Sequence, residues 1–499
     1  FMICLSALII FTLFYCDPSG NGETDPPPDN PVPTLTSPQS KVAHMPSFTL
    51  TATGTNFIAS SKIVFDGVEI PTTYVSATEV TCQVEPDDIV VIATNPANGA
   101  NLSGPLNANV PVLIRNPAPG GGDSNSKNFT IRDKHNFSAP ILISGTLKDS
   151  LYPDIAVDSN GNVNVAWFDW PYLGNCDIYY RRSTDFGATW DTIVNISNST
   201  NDSKAPSIAV DDTGNINVAW YDDYSSYVHE IKFKRSTDSG ATWGSTVTVS
   251  NYTGYARRPD IALDSSGNLN LVWTGGNPGD YEIYFSRSTD NGATWSSFVN
   301  ISNSSGLSQS PVIAVDSSGN LNTAWYDNSP GNYEIYFSRS TDNGTTWSTP
   351  VNVSNTTATS YAPAIVVDTN GNLCIAWYDK KTNTWQVYFS RSTNNGTTWS
   401  TMQNVSNASV ACSHPGIAVD SAVNINMVWS KNTWYNEPII FGRSIDNGAN
   451  WSTPLDITNN PMSTMNPEIS LDSNGNIYVV WDDDGGPDNK FIYFTGSAH

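Results

Sequence analysis

Positively charged residues are scarce in this sequence. Lys and Arg together number 23 against 47 Asp and Glu, so the formal net charge at pH 7 is −24. Proteins that bind nucleic acid cluster Lys and Arg on one face to neutralise phosphates, whereas an acidic surface repels them. The composition therefore argues against nucleic acid as a partner.

Cysteine, histidine and the common catalytic motifs are also sparse. The six Cys stand at positions 4, 16, 82, 176, 374 and 412 without a C-x-x-C pair, and the sequence has five His. GxSxG, P-loop and HExxH motifs are absent. We expect no zinc site, no cofactor and no disulfide framework, although a single Cys374–Cys412 pair stays open because their repeats are neighbours. The acidic run at Asp482 to Asp484 is a weak Ca²⁺ candidate, since EF-hand spacing is lacking.

Long apolar runs are limited to residues 1–16, FMICLSALIIFTLFYC. This run is too short to span a bilayer comfortably and is typical of the apolar part of a signal peptide. It resembles a bacterial lipoprotein signal with Cys16 as the lipidated residue, although Phe14 and Tyr15 are bulkier than that site prefers. We expect export to the cell surface or the medium, with a lipid anchor at Cys16 as the only membrane contact. Residues 17–31 form a Pro- and Gly-rich tether.

Short alternating strands separated by turn residues fill residues 32–132 and predict a β-sandwich. The segments FTLTATGTNF, IVFDGVEIPTTYVSATEVT and RNPAPGGGDSNSKNFTI resemble the IPT/TIG immunoglobulin-like family. The resemblance implies a spacer or a binding module beside other extracellular domains.

Repetition dominates residues 137–499. The pattern P-x-I-x-x-D-x-x-G-N-x-N-x-x-W recurs every 52 or 53 residues, starting at Pro153, Pro206, Pro259, Pro311, Pro363, Pro415 and Pro467. Each unit holds four predicted antiparallel strands, which in the fourth unit lie near 311–316, 320–327, 333–340 and 346–354. Seven such units predict an all-β fold with a seven-bladed β-propeller.

The last unit lacks its fourth strand, because the sequence ends at FIYFTGSAH. The segment FSAPILIS at 137–144 aligns with the fourth-strand segment WSTPVNVS at 347–354. We expect the strand at the start of the propeller to complete the last blade, which closes the ring and removes exposed edges.

A box of the form Ser-x-Asp-x-Gly-x-x-Trp joins the third and fourth strands of six units. Asp at a turn accepts hydrogen bonds from backbone N–H groups, and Gly permits a positive φ. The Trp is expected to cover the blade edge. Because Asn394 keeps the acceptor but loses the acid, the shared role is structural. The box residues are Ser183, Asp185, Gly187 and Trp190; Ser236, Asp238, Gly240 and Trp243; Ser288, Asp290, Gly292 and Trp295; Ser340, Asp342, Gly344 and Trp347; Ser392, Asn394, Gly396 and Trp399; and Ser444, Asp446, Gly448 and Trp451.

This motif is the Asp box, or BNR repeat, and residues 137–499 resemble the sialidase-like superfamily of Asp-box propellers. That superfamily includes sialidases, other glycosidases and non-catalytic binding or assembly proteins. The resemblance therefore predicts the fold better than the function.

Box turns and the turns between strands one and two share one face of the predicted propeller, here the box face. The other connections lie on the opposite face, the loop face, and it is these that vary. Aromatic planes, carboxylates and two arginines there suit sugar rings; the alternative is that they pack blade edges and cap turns. The candidate ligand-binding residues are Trp170, Tyr172, Asp222, Asp223, Tyr224, Tyr255, Arg257, Arg258, Asp327, Trp385, Trp434 and Asp482.

A typical sialidase is not expected. Enzymes of that family hold the substrate carboxylate with three arginines from different blades, but six arginines here precede boxes and so lie toward the box face. Only Arg257 and Arg258 remain for the loop face. Hydrolysis of a neutral glycan by two carboxylates stays open, with Asp222, Asp327 and Asp482 as candidates.

These observations favour an exported protein, as a monomeric propeller, that recognises glycans or surface polymers without catalysis. The alternatives are a glycoside hydrolase and a purely structural surface protein.

Overall fold

The computed structural model describes residues 41–42, 48–53, 58–65, 68–76, 79–84, 108–115, 127–132 and 137–497, the last range without 146–148, 172–173, 212, 226–227, 251–253, 433–436, 459–462 and 485–489. Every secondary-structure element among the described residues is a β-strand. The chain divides into two units, residues 1–136 with His499 and residues 137–498. The apolar segment 1–16 with Cys16 and the tether 17–31 lie outside the described residues. Within the described part of the chain, no helix is long and apolar enough to cross a membrane.

The first unit is a sandwich of two sheets. Its strands are β1 (Lys41–Val42), β2 (Phe48–Thr53), β3 (Lys62–Phe65), β4 (Val68–Ile70), β5 (Thr72–Ser76), β6 (Glu79–Val84), β7 (Ala108–Arg115) and β8 (Lys127–Arg132). One sheet has the order β1-β8-β7-β3-β4 and the other β2-β6-β5. Ile63, Val64 and Val80 are buried in it.

The second unit is a seven-bladed β-propeller of four-stranded antiparallel sheets. It begins with β9 (Ile141–Leu142). Blades one to three contain β10 (Asp149–Val157), β11 (Val163–Trp170), β12 (Asp177–Ser183), β13 (Val194–Asn195), β14 (Asp202–Val210), β15 (Ile216–Ser225), β16 (Val228–Ser236), β17 (Val247–Thr248), β18 (Tyr255–Leu263), β19 (Leu269–Asn277), β20 (Asp280–Ser288) and β21 (Val299–Asn300).

Blades four to seven repeat the arrangement. They contain β22 (Ser308–Val315), β23 (Leu321–Asp327), β24 (Glu334–Ser340), β25 (Val351–Asn352), β26 (Ser360–Val367), β27 (Leu373–Asp379), β28 (Gln386–Ser392), β29 (Gln403–Asn404), β30 (Ala411–Val419), β31 (Ile425–Asn432), β32 (Ile439–Ser444), β33 (Leu455–Asp456), β34 (Thr464–Leu471), β35 (Ile477–Asp484) and β36 (Lys490–Gly496). The sheet of blade seven has the order β34-β35-β36-β9, with Leu142 opposite Tyr493 and Ile141 opposite Phe494.

The second strand of each blade forms the centre of the core. It is buried along almost its whole length and carries one buried Trp: Trp167, Trp220, Trp273, Trp325, Trp377, Trp429 and Trp481. Each core cluster joins two neighbouring blades; Trp220 of blade two, for example, packs with Ile178 and Tyr180 of blade one. Because no blade buries both of its faces alone, the blades stabilise each other.

The sequence suggested that each box tryptophan covers the edge of its own blade. In the structure the box tryptophans pack between neighbouring blades instead. The Trp347 ring meets Phe285 of the preceding blade edge-on, with centroids 5.3 Å apart. Gly344 lies against the Phe285 ring, since a Cβ atom on Gly344 would come within 1.9 Å of that ring. The box thus joins adjacent blades as well as closing its own turn.

Polar atoms of each box are used within the turn. In blade four, Ser340 Oγ donates to Asp342 Oδ1 at 2.8 Å, and the Thr346 N–H donates to the same oxygen at 2.9 Å. In blade five, the Thr398 N–H donates to Asn394 Oδ1 at 2.9 Å. The amide therefore takes the position of the carboxylate oxygen, and hydrogen bonding alone accounts for the residue.

The arginine before each box forms an ion pair with the Asp of the turn between strands one and two. Arg339 Nη2 lies 2.6 Å from Asp316 Oδ2. Equivalent pairs are Arg182–Asp158, Arg235–Asp211, Arg287–Asp264, Arg391–Asp368 and Arg443–Asp420. These six arginines hold two box-face turns together and do not reach the loop face.

Cys374 and Cys412 do not form the disulfide that the sequence left open. Both are free, buried thiols in the core cluster between blades five and six. Cys374 is the second residue of β27, near the box face, whereas Cys412 is the second residue of β30, near the loop face. Burial raises the pKa of the Cys374 thiol to about 12, so it is an inert core side chain.

Candidate functional site

A central cavity of about 660 Å³ lies on the propeller axis and is lined by the inner strands of all seven blades. Trp170, Lys204, Asp223 and Arg257, at the loop-face ends of their strands, form part of its wall. Its size and mixed lining are those of small-ligand and sugar sites.

Seven residues with a left-handed backbone surround this cavity. Each stands before the repeat proline, where the pairing of the first and second strands shifts register. They are Tyr152, Ala205, Arg258, Ser310, Ala362, His414 and Asn466, with φ between 46° and 51°. A residue before proline normally avoids helical conformations, and a left-handed non-glycine residue costs about 1–3 kcal/mol. This pre-proline ring has one backbone geometry and seven positions for different side chains.

Residues just after the prolines connect neighbouring blades. The Ile208 N–H of blade two donates to Asp154 Oδ2 of blade one at 2.7 Å, and the Ile313 N–H of blade four donates to Asp260 Oδ2 of blade three at 2.7 Å. Ser207 of blade two donates to Asp260 Oδ1 at 3.0 Å. The acids at these positions therefore bind backbone groups at the cavity wall.

Three carboxyl groups of the cavity have raised pKa values. Burial raises the pKa of Asp154 to about 6 and that of Asp260 to about 7, where the charge of Asp154 adds to the effect. Burial and the charges of these two residues raise the pKa of Glu468 well above its ordinary value, although its side chain reaches the solvent of the cavity. The cavity wall thus carries less negative charge near neutral pH than its composition suggests.

Arg257 and Arg258 extend from one blade in different ways. Arg257 Nε donates to His229 Nδ1 at 2.9 Å, and its guanidinium lies 4.8 Å from the centre of the Tyr255 ring. Arg258 is exposed, and its Nη1 donates to Ser310 Oγ of blade four at 2.8 Å. Its positive charge also acts on His414 of blade six, whose pKa is lowered to about 4 mainly by burial.

An aromatic patch borders the cavity on blades four and five. Tyr326, Tyr333 and Tyr361 form one group, with ring centroids 5.1–5.3 Å apart. Tyr378 and Trp385 extend it, at 5.9 and 5.7 Å from Tyr361. Tyr378 also lies 5.4 Å from His414 in the pre-proline ring. The patch is half-buried and so keeps ring surface toward the loop face.

The structure brings several of the expected ligand-binding residues to this region. Trp170, Asp223, Arg257 and Arg258 line the cavity, and Trp385 belongs to the aromatic patch. Trp170 is 54% exposed, with the Lys204 ammonium 5.2 Å from its ring centre. Tyr224 of blade two is on the loop face as well and is 43% exposed. Tyr255 packs under the guanidinium of Arg257. Tyr172 and Trp434 lie outside the described residues.

Three of the acids that the sequence proposed as ligand-binding residues are buried inside the blades. Asp222, Asp327 and Asp482 are buried, with 5%, 2% and 1% exposure. Ser203 and Ser308 on the inner strands donate to Asp222 and Asp327 at 2.6 and 2.5 Å. Asp482 accepts from the Tyr152 N–H and from Asn466 Nδ2. These carboxylates hold strands together, so the expectation that they meet across the mouth is wrong.

The acidic run from Asp482 to Asp484, the Ca²⁺ candidate, is also partly buried. Asp483 is 2% exposed and its neighbour Asp482 is 1% exposed. Among the side chains that the structure describes, no group of three or more His, Cys, Asp or Glu is placed to hold a metal ion.

Most of the cavity lining was missed by the sequence reasoning. Tyr152, Asp154, Asp260, His414 and Glu468 flank the repeat prolines and are not among the predicted ligand-binding residues. The signal was present, since each of the two positions beside the repeat Pro carries six residue types among the seven units. Tyr326 and Tyr378 follow the buried Trp of the second strand in a Trp-Tyr-Asp sequence and were not among the predicted ligand-binding residues.

Family comparisons agree with both units. Residues 229–479, half of the chain, match the model of the BNR repeat-like domain. Residues 31–131 match the model of the IPT/TIG domain.

Individual relatives and solved structures are more distant. A xyloglucanase from Paenibacillus sp is 27% identical over 290 residues, which are 52% of this chain and 24% of that enzyme, so the match spans about a quarter of its length. An ulvan lyase structure aligns with 72% of this chain and 95% of its own at 12% identity and a TM-score of 0.53. The Hadza microbial sialidase aligns with 84% of this chain and 75% of its own at 14% identity and a TM-score of 0.46. The structural likeness concerns the propeller fold.

Proposed function

The chain belongs to the BNR repeat-like domain family, and from its central cavity and aromatic patch we propose that it binds a polysaccharide on the loop face. A propeller of this family supplies the rigid scaffold, and the function is decided by the side chains that the loop face presents.

The aromatic patch is the observation that carries this proposal. Its rings run without interruption from Tyr333 to Trp385 and meet the cavity wall at His414. Half-buried rings offer a flat apolar surface on which the C–H faces of sugar rings stack, while the rings themselves are held by their neighbours. The similarity to an enzyme named xyloglucanase supports the same ligand class.

Polar groups of the cavity wall fit sugar hydroxyls. Ser310, Asn466 and Asp223 line the cavity and combine donors and acceptors. Exposed Tyr152 and Trp170 stand on the opposite side, at 44% and 54% exposure. A chain of sugars lying from the patch across the mouth would contact rings at both ends.

A glycan array followed by titration calorimetry tests the proposal. We expect binding to at least one polysaccharide, weakened about two- to tenfold by Trp385→Ala or Trp170→Ala, because each stacking contact contributes about 0.5–1.5 kcal/mol. The matched control is Phe186→Ala, which removes a ring of 44% exposure from a box turn on the opposite face and should leave affinity unchanged. Failure to bind any glycan, or equal losses in all three variants, would contradict the proposal.

Glycoside hydrolysis is a second candidate, favoured by the raised pKa values of the cavity carboxyls. A carboxylic acid that stays protonated near neutral pH is able to donate a proton to a leaving group, and hydrolysis of a glycosidic bond uses two carboxyl groups. Asp154 and Asp260 already bind backbone N–H groups. Glu468 is exposed within the cavity and is the acid best placed to meet a ligand.

Release of reducing sugar from a panel of polysaccharides distinguishes the two candidates. A hydrolase loses turnover with Glu468→Gln but keeps its affinity, since the amide preserves shape and hydrogen bonding. A binding protein releases no sugar in either form. We propose the binding role as the primary one, exerted outside the cell, with the immunoglobulin-like domain as a spacer.

A further inference from the structure

The pre-proline ring separates backbone geometry from side-chain identity. All seven residues have nearly the same φ, yet none is Gly, the residue that adopts this conformation without strain. Three large side chains project from it: Tyr152, Arg258 and His414. Because the bulge is identical in each blade, what differs at the cavity mouth is the chemistry of these side chains.

Arg258 differs from the other arginines of the propeller. Six of the nine propeller arginines are paired with turn Asp residues on the box face. Arg181 donates to the backbone carbonyls of Ile143 and Asp191, and Arg257 donates to His229. Within the described residues, no carboxylate lies within ion-pair distance of Arg258, and its hydrogen bond goes to the neutral Ser310 hydroxyl.

Neighbouring groups leave this charge uncompensated. Lys204 lies 2.8 Å from Asp202 and 3.6 Å from Asp223, so its ammonium is already paired. His414 stays neutral near pH 7 because its pKa is lowered to about 4. In a chain of net charge −24, an exposed guanidinium without a carboxylate partner, held over a cavity, is a site of local positive potential.

We propose that Arg258 binds an anionic substituent, a carboxylate or a sulfate ester, on the bound polysaccharide, so that the ligand is an acidic polysaccharide. This inference rests on the proposed function. A guanidinium presents a planar fork of donors that matches two oxygens of such a group. Its bond to Ser310 uses one nitrogen and leaves the other donors for the ligand.

Polarity within the cavity orients the ligand. The positive group stands at the mouth, whereas Asp154, Asp260 and Glu468 line the wall beyond the prolines. Oxygen atoms of these acids accept hydrogen bonds, so they favour hydroxyl groups and disfavour a second anion. The acidic substituent therefore points to Arg258 and the sugar hydroxyls to the acids.

Matched polysaccharides test this assignment on the whole chain. Calorimetry compares glucuronoxylan with its carboxyl-reduced form, and carrageenan with its desulfated form, together with neutral xyloglucan. We expect at least a tenfold preference for one charged form over its neutral partner, and the pair that shows it distinguishes carboxylate from sulfate. The preference should fall as salt concentration rises.

Substitution of Arg258 supplies the second readout. Arg258→Asn suits the left-handed backbone, so the variant should keep its melting temperature while affinity for the charged polymer falls about tenfold or more and affinity for the neutral one stays unchanged. Arg258→Lys should recover part of the loss. Lys381→Gln is the control, since it removes an exposed loop-face cation that does not line the cavity.

Two results contradict the inference and are distinguishable. Equal affinity for charged and neutral partners, or an equal loss on both with Arg258→Asn, refutes the anion site and leaves polysaccharide binding standing. Absence of binding to every polymer refutes the proposed function itself.

Discussion

The Trp347 indole meets the Phe285 ring edge-on across the boundary between blades four and three, with centroids 5.3 Å apart. Five other box tryptophans repeat this contact, such as Trp243 on Tyr180 at 5.2 Å and Trp190 on Phe494 at 5.0 Å. The contact makes the box an inter-blade joint, and its loss should weaken the ring as a whole.

Trp347→Ala should lower the free energy of unfolding by about 2–4 kcal/mol. The side chain is partly buried, so the loss falls below or within the range for fully buried tryptophans. Chemical denaturation measures it, and Trp347→Phe should recover part of the loss because an aromatic edge is retained. A melting curve for Trp347→Ala that matches the wild type would show that the joint carries no stability.

Gly344 and Gly319 separate steric from conformational cost. Both have positive φ, 84° and 80°, but a Cβ atom on Gly344 meets Phe285 at 1.9 Å, whereas one on Gly319 meets nothing within 4 Å. Gly319→Ala should cost about 1–2 kcal/mol from backbone conformation alone. Gly344→Ala should cost about 3 kcal/mol or more, because the overlap displaces a core ring. Equal losses in the two variants, measured by urea denaturation, would contradict the close-approach role of the box glycine.

Asp342 should tolerate amidation but not truncation. Hydrogen bonds from the Thr346 hydroxyl and N–H lower the pKa of its carboxyl, and blade five forms the same turn with Asn394. We therefore expect Asp342→Asn to melt close to the wild type and Asp342→Ala clearly below it, since the turn N–H loses its acceptor. If the Asn variant melts as low as the Ala variant, the negative charge itself matters.

Asp260 should make stability depend on pH with a defined sign. Its pKa is about 7 in the folded chain against an ordinary value of 3.8, so the folded state holds a proton that the unfolded state has lost between about pH 4 and pH 7. Raising the pH through that window therefore favours unfolding. The free energy of unfolding of wild type minus that of Asp260→Asn should fall by about 1–2 kcal/mol across it, the cavity solvent limiting the effect.

The difference between the two proteins is the quantity to measure, because other groups near the cavity titrate in the same range. His414 and His229 have lowered pKa values and act with the opposite sign, but they act in both proteins and cancel. Asp154 and Glu468 lose one neighbouring charge in the variant, which should lower the pKa of Glu468. A difference that does not change between pH 4 and pH 8 would show that Asp260 is ionised throughout.

Repetition and turn chemistry were enough to predict the architecture from sequence. The spacing of Pro153, Pro206 and their equivalents sets the blade count, since each repeat is one four-stranded unit. Asn394 identified the box as structural. A position where Asn replaces Asp needs a hydrogen-bond acceptor and not an acid. The placement of the box-face arginines followed from antiparallel connectivity alone.

Tertiary structure alone decided which side chains reach the ligand face. Asp222 and Arg258 both lie at the loop-face ends of strands in the sequence pattern, yet Asp222 is bonded to Ser203 inside its blade and Arg258 is exposed at the mouth. The direction of a side chain depends on the bulge before each proline and on the packing of neighbouring blades, which a strand pattern does not encode. The sequence determined the ring and its two faces. The assembly of seven blades around one axis decided which side chains line the cavity. That lining brings together residues more than 300 positions apart, such as Tyr152 and Glu468.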